Sequence, residues 1–339
     1  MIIVVKPGAT KEQVQDILAK LEQYELKAHV SEGAERLIIG VIGDKSRLPP
    51  GALELLPAVE KLVPIMESYK LASRAFRPEG TAFEIKGVPI GGDELTMMAG
   101  PCAVESEEQV DEVAREISSC GARILRGGAY KPRTTPYSFQ GLEKEGLRIL
   151  RRVADRYKLL VISEITSEND IEYASDYVDI IQIGARNAQN FRLLSAVGKS
   201  GIPVMLKRGI AETIDEWLGS VEYIMSEGNY NIIMCERGIR TFETSTRSTL
   251  DISAIPVLKT KTHLPIIVDP SHASGKAQYV RSLSLAAIAA GADGLIIEVH
   301  PNPMCALSDA AQQITPADYR SLTKEVKAIA GIIGRKYPE

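Results

Sequence analysis

Residues 127–141, GGAYKPRTTPYSFQG, set Lys131 and Arg133 on either side of Pro132 and follow them with Thr134 and Thr135. Pro132 and Pro136 limit how far the chain around the two cations can wander, while hydroxyls and backbone N–H groups can complete the hydrogen bonds of an oxyanion. This combination suits a phosphate site better than a surface turn. Further cations stand at Arg126 in ILRGG, Arg186 in IGARN, Lys207 in MLKRG and Arg237 in CERG. Any one of Arg126, Lys131, Arg186, Lys207 and Arg237 is readable as an ordinary ion-paired cation. If all faced one cavity, their mutual repulsion would cost stability unless an anion lay among them, so the ligand should carry phosphate and carboxylate.

A second set is Cys102, His272, Glu298 and Asp309. One thiol, one imidazole and two carboxylates mix soft and hard donors, which suits Fe(II), Mn(II), Co(II) or Zn(II) without selecting among them. Cys102 alone reads equally well as a buried structural thiol, and His300 competes with His272 as the imidazole donor. Cys235 sits inside an apolar run and reads as core; Cys120 and Cys305 have no evident partners. The pair Gly127–Gly128 does not make a GxGxxG fingerprint, so it carries no dinucleotide reading.

What could position these residues is a repeated element. From residue 95 onward the runs LTMMAG, ARILRGG, LLVISEI, DIIQIGA, PVMLKRG, NIIMCERG, PIIVDPSH and GLIIEVH recur with helical patterns between them. Continuous apolar strands alternating with helices imply a parallel sheet covered on both faces, and this number of them fits a (β/α)8 TIM barrel better than an open sheet. Helix starts are marked by Ser106 with Gln109, Thr213 with Glu216, and Thr315 before Pro316. The residues at the run ends are, in order, Cys102, Arg126, Glu164, Gln182 with Arg186, Lys207, Glu236 with Arg237, Asp269 with His272, and Glu298 with His300. In a barrel these ends converge on one mouth.

Residues 1–70 read separately, as a small α/β domain. MIIVVKPG, KAHVSEG, RLIIGVIG and VPIMESYK are expected as strands, and ALELLPAVEKL as a second helix despite Pro57. Thr10 with Gln13 should open a first helix whose Val14, Ile17, Leu18 and Leu21 share a face. The order is the ferredoxin-like βαββαβ. Residues 71–94 read as a linker and short hairpin, and 95–339 as the barrel.

The 339 residues carry a net charge of −4, which argues against a nucleic-acid or membrane-surface protein. The N-terminus turns at Pro7–Gly8 before a secretory segment could form, and no apolar run approaches the ~20 residues of a bilayer span. A cytoplasmic location is expected. The four widely spaced cysteines form no CxxC pair and favour reduced thiols.

The motifs AGPC, LRGGAYKPRT, IQIGARNAQN, LKRG, CERG, DPSH and IIEVHPNP, in this order over about residues 98–303, make the sequence resemble the 3-deoxy-D-arabino-heptulosonate 7-phosphate (DAHP) synthases. Residues 1–70 fit the subgroup with a ferredoxin-like regulatory domain. The resemblance implies a transferase that condenses phosphoenolpyruvate with erythrose 4-phosphate and water, the first step of the shikimate pathway to chorismate and the aromatic amino acids. It implies one divalent metal ion per subunit (Mn, Fe, Co or Zn) on Cys102, His272, Glu298 and Asp309. Phosphoenolpyruvate would be held by Arg126, Lys131, Arg186, Lys207 and Arg237, and the phosphate of erythrose 4-phosphate by Arg133 and Thr134. Lys131 is a candidate proton donor and Glu164 a candidate to orient water. Inhibition by tyrosine or phenylalanine through residues 1–70, and a homotetramer, are also implied. Thr135 departs from the usual KPRTS pattern but keeps a hydroxyl.

Three rivals remain in view. The sister octulosonate-phosphate synthases use arabinose 5-phosphate in the same fold, but KPRT stands against them because they resemble an Asn-Arg-Ser-type loop there. A non-catalytic metabolite sensor would have no need of the four metal donors. A fused chorismate mutase would be helical, whereas residues 1–70 carry strands.

Overall fold

The computed structural model describes residues 1–32, 36–43, 48–49, 51–63, 69–131, 135 and 137–338, so Arg133 and Thr134 lie outside the described residues. It divides into two compact units, residues 1–80 with 259–263 and residues 81–258 with 264–339.

In the first unit β1 (Ile2–Val5), β2 (Lys27–Glu32), β3 (Leu37–Ile42) and β4 (Val59–Val63) form an antiparallel sheet of order β2-β3-β1-β4. Helix α1 (Lys11–Gln23) opens on the expected capping box, with Thr10 and Gln13 each accepting the other's backbone N–H. Its Ile17 and Leu21 pack with Ile3, Val5, Ile39 and Val41 in one apolar core.

The second helix expected at ALELLPAVEKL is not formed. A proline well inside a helix removes an i→i−4 donor and drives its ring against the preceding turn. Residues 51–58 make turns instead, with Ala52 N–H donating to Pro49 O, Leu56 N–H to Leu53 O and Val59 N–H to Leu56 O. Leu53 and Ala58 still reach the core. A strand instead starts at Val59, which pairs with Val5; of the strand expected at VPIMESYK, residues 64–68 lie outside the described residues.

The second unit begins with the hairpin β5 (Phe83–Ile85) and β6 (Val88–Ile90). The barrel strands are β7 (Thr96–Gly100), β8 (Ile124–Arg126), β9 (Leu160–Glu164), β10 (Ile180–Ile183), β11 (Val204–Lys207), β12 (Ile232–Glu236), β13 (Ile266–Val268) and β14 (Gly294–Glu298). All neighbours are parallel, and β14 closes on β7 with Gly294 opposite Thr96 and Glu298 opposite Gly100. Between them run α2 (Glu107–Ser118), α3 (Glu143–Arg156), α4 (Ile171–Ser175), α5 (Phe191–Ser200), α6 (Ile214–Ser226), α7 (Ala254–Lys261), the short α8 (Pro270–Ser274) and α9 (Ala277–Ala289), with α10 (Pro316–Ile332) after β14. Ile85, Val88 and Ile90 of the hairpin share one buried cluster with Met98, Ile124, Ile162, Met205, Cys235 and Ile296 of the barrel interior. The barrel is therefore a packed core, and Cys235 belongs to it as expected.

Candidate active site

Part of the strand-end set meets at one cavity of about 190 Å³, whereas Glu236 is turned away to pair with Arg208 at 2.9 Å. Arg126 from β8, Lys207 from β11 and Arg237 just after β12 line it, joined by Lys131 from the β8–α3 loop and Arg186 from the β10–α5 loop. All five cations that the sequence grouped are thus together. Glu164 at the end of β9 and His272 on α8 are part of the same wall.

The repulsion among the cations is already partly answered by the protein. Arg126 Nη1 donates to Glu298 Oε1 at 2.6 Å, and Lys207 Nζ donates to Asp269 Oδ2 at 2.5 Å. Arg237 Nη1 donates to the Ser248 hydroxyl at 3.0 Å. Arg186 is exposed at the rim. An anion would therefore meet a preformed set of donors, several of them fixed by their own hydrogen bonds.

Beside this cavity lies the proposed donor set. Ligand atoms of Cys102, Glu298 and Asp309 lie within 4.8 Å of one another. His272 Nε2 stands 3.5 Å from Glu298 Oε1 and 4.0 Å from Asp309 Oδ2. Its other ring nitrogen donates to Asp269 Oδ2 at 2.7 Å, which turns Nε2 toward the carboxylates. Two carboxylates, a thiol and an aimed imidazole gathered this closely fit a divalent ion. His300 is placed elsewhere: its Nδ1 accepts from Asn302 N–H, and Nε2 lies 3.6 Å from Glu105.

Electrostatics follow from burial and neighbours. Burial pushes the Cys102 thiol up to about 11, with Glu298 adding to the effect and Lys131 and Arg126 opposing it. For Glu298 burial also works upward, but His272, Arg126 and Lys131 outweigh it and hold the carboxyl far below its ordinary range. Asp269 is held low in the same way by His272 and Lys207 against its burial. Burial lowers His272 and favours its neutral form, despite Asp269 and Glu298. A cation would take over the role of a charged imidazole beside these carboxylates, because a metal-ligating histidine must be neutral and a ligating thiol must lose its proton.

Two glycines make room for functional side chains. A Cβ at Gly184 would fall 2.0 Å from Glu164 Oε1, and one at Gly128 would fall 2.7 Å from Lys131 Cδ. Asp309 itself is a non-glycine residue in the left-handed region, with φ of +48°. Such backbone persists where its surroundings over-determine it, which is commonest at functional sites.

The sequence reading missed several residues. Arg247 lines the cavity from the β12–α7 loop, and Ser138 does so from the β8–α3 loop. Gln312 and Gln313, both buried, bond to Glu298 and to the Cys102 backbone respectively.

A closed parallel barrel with charged side chains and metal-type donors gathered at its strand ends defines a (β/α)8 enzyme. The chain belongs to the DAHP synthetase I family, whose model matches residues 72–333, and the model of the DAHP synthase ferredoxin-like domain matches residues 1–67. It is thereby a carbon–carbon bond-forming transferase. A phospho-2-dehydro-3-deoxyheptonate aldolase of Thermotoga maritima is 51% identical over 336 residues, 99% of each chain. A 2-dehydro-3-deoxyphosphooctonate aldolase of Geobacter sp. is 33% identical over 270 residues, 74% of this chain and 98% of that one. The solved structure of the Thermotoga maritima DAHP synthase superposes with a TM-score of 0.79 at 50% identity, covering 99% of this chain and 98% of that one. A truncated form of the synthase from the same organism covers 79% of this chain and 98% of its own, with a TM-score of 0.74 at 49% identity. Among the described residues no helix is long and apolar enough to cross a membrane.

Proposed function

We propose that this chain condenses phosphoenolpyruvate with erythrose 4-phosphate and water to give DAHP and phosphate, in the cytoplasm, as the first step toward the aromatic amino acids. The observation that carries the reading is the meeting of five cations with a Cys/His/carboxylate donor set at one barrel mouth. Arg126, Lys131, Arg186, Lys207 and Arg237 bind the phosphate and carboxylate of phosphoenolpyruvate. Arg133 and Thr134 of the KPRT motif bind the phosphate of the aldose.

Carbon 3 of phosphoenolpyruvate attacks the aldehyde carbon, water adds at carbon 2, and phosphate leaves by C–O cleavage. Cys102, His272, Glu298 and Asp309 would hold the divalent ion, which when bound supplies Lewis-acid polarisation of the aldehyde. Lys131, whose burial disfavours its ammonium but is outweighed by Cys102 in its thiolate form and by Glu298, donates the proton that the new hydroxyl requires. Glu164, 3.5 Å from the Gln182 amide and given space by Gly184, orients the attacking water. Residues 1–70 take tyrosine or phenylalanine as a feedback effector, and the chain assembles as a homotetramer.

The competing aldose is arabinose 5-phosphate, raised by the octulosonate relative that is 33% identical over 74% of this chain. The 51% identity over 99% of the chain supports erythrose 4-phosphate. Phosphate release by purified full-length protein, with phosphoenolpyruvate and each aldose in turn, tests the reading. Turnover with arabinose 5-phosphate and none with erythrose 4-phosphate would replace it.

A further inference from the structure

The β12–α7 loop reaches the donor set through a residue that the proposed chemistry does not use. Arg247 N–H donates to the Ser274 carbonyl at the end of α8, the helix that carries His272. Its stem lies against Gly275, where a Cβ would fall 2.6 Å from that of Arg247. Its Nη1 donates to Gln312 Oε1 at 2.9 Å and lies 3.4 Å from Asp309 Oδ2. Gln312, only 2% exposed, turns its Nε2 to Glu298 Oε2 at 2.6 Å and to Asp309 Oδ2 at 3.4 Å.

Two ionised carboxylates this close repel each other, and Asp309 is additionally held in left-handed backbone. One amide that donates to both, and is itself oriented by an arginine anchored beside His272, opposes that repulsion. It also links the loop after β14 to the helix after β13. An amide fits the task because its nitrogen carries two donors while its oxygen accepts from the guanidinium.

We propose that Gln312, oriented by Arg247, is a positioning pair that sets the spacing of Glu298 and Asp309 and thereby the affinity of the site for its divalent ion. The inference rests on the metal reading proposed above. Neither residue needs to touch the ion, and partners of metal ligands typically change affinity by about 10–100-fold when removed.

The test uses the full chain, stripped of metal by chelation and titrated with Mn(II), with free ion read by electron paramagnetic resonance. Gln312→Met, which keeps length and apolar packing but loses both bonds, is expected to bind Mn(II) roughly 10–100-fold more weakly. Arg247→Ala should weaken binding less, because the amide remains. Adding it to Gln312→Met should change affinity by no more than about twofold, since both act through one link. Arg247→Lys, which can still donate to Gln312, should recover part of the loss. At saturating Mn(II) the KM of Gln312→Met for phosphoenolpyruvate should stay within about twofold of wild type, because Gln312 does not line the cavity, which separates positioning from substrate binding. If wild type binds Mn(II) and both single variants match it, the positioning pair is refuted while the metal site stands. If wild type binds none, both fall. Should Gln312→Met fail to fold, Arg247→Ala decides alone, because that side chain is 38% exposed and its loss leaves no buried void.

Discussion

Lys131 Nζ lies 3.1 Å from the Cys102 sulfur and 3.0 Å from the Cys102 carbonyl oxygen, so the ammonium is tethered beside the proposed donor set while it lines the cavity. Gly128 leaves the space its stem needs. That placement supports the proposed role of Lys131 in the chemical step, while the role proposed for Arg133, outside the described residues, rests on the KPRT motif.

Lys131→Ala is accordingly expected to lower kcat by about 10²–10⁴, the range for loss of a positioned proton donor. Lys131→Arg should rescue little, because a planar guanidinium does not reproduce a compact ammonium. Arg133→Ala should chiefly raise KM for erythrose 4-phosphate, as a lost charge-assisted contact of about 1.5–3 kcal/mol would. Steady-state kinetics with each substrate varied in turn would refute this division if both variants damaged only phosphoenolpyruvate binding.

The two histidines near the barrel mouth give a second contrast. His272→Ala should lose both bound metal and activity, because its Nε2 faces Glu298 and Asp309. His300→Ala should keep the metal, since its ring faces Asn302 and Glu105. Chelation should abolish turnover, and added Mn(II) or Co(II) should restore it. Metal content and activity measured on the same samples check all of these; full turnover with no metal present would refute the metal requirement.

Asp179 provides a pH-dependent prediction away from the site. Its buried carboxylate accepts from Val161 N–H at 2.7 Å and Arg151 at 2.8 Å, and pairs with Lys86 of the hairpin at 2.6 Å. Burial opposes ionisation, but Lys86, the Val161 N–H and Arg151 together keep the carboxyl below its ordinary value. A lowered folded-state value means stability that is fully present above the unfolded value of about 3.9 and is lost as pH falls through the folded one. Asp179→Asn should therefore destabilise the barrel at pH 7, by about 1.5–3 kcal/mol for lost charge-assisted hydrogen bonds, and the deficit should shrink as the pH falls below about 4. Urea unfolding of both proteins across this range would show it. A deficit that stays constant down to acid pH would mean that packing, and not the ion pair, is what Asp179 contributes.

The barrel was legible because each strand is a short apolar run that ends on a charged or ligating residue, so the same residues announce both the fold and the mouth. Cys102, Arg126, Lys207, Arg237, His272 and Glu298 could all be found this way. Arg247 could not, because it lies deep in the polar stretch TFETSTRST, which reads as a solvated loop. Gln312 and Gln313 were hidden for a related reason: uncharged polar residues in a loop carry no sign of burial until the chain folds over them. Mutual repulsion of the cations is smaller than their spacing in the sequence suggests, since Glu298 and Asp269 each neutralise one of them from a different strand end. In the N-terminal unit the apolar spacing of ALELLPAVEKL suggested a helix, but Pro57 decided the backbone and left only the burial of Leu53 and Ala58 to follow the pattern.

Residues 1–70 contain a folded sheet of their own and none of the proposed site residues, which all lie between Cys102 and Asp309. A regulator built this way controls the catalyst by binding the inhibited state better than the active one; a difference of about 1–3 kcal/mol gives roughly 5- to 150-fold control. Removing it should leave the chemistry in place. The cut must spare the hairpin at 83–90, however, because Ile85, Val88 and Ile90 belong to the barrel's own core cluster, and their loss would expose it. A chain lacking residues 1–70 is therefore expected to keep kcat within a few-fold and to lose inhibition by tyrosine and phenylalanine, whereas a chain lacking residues 1–92 should be poorly folded. The match to a truncated Thermotoga maritima synthase over 79% of this chain makes the first of these a practical experiment. Inhibition curves for both amino acids on the full and shortened chains decide it: undiminished inhibition of the shortened chain would place the effector site on the barrel and remove the regulatory role from residues 1–70.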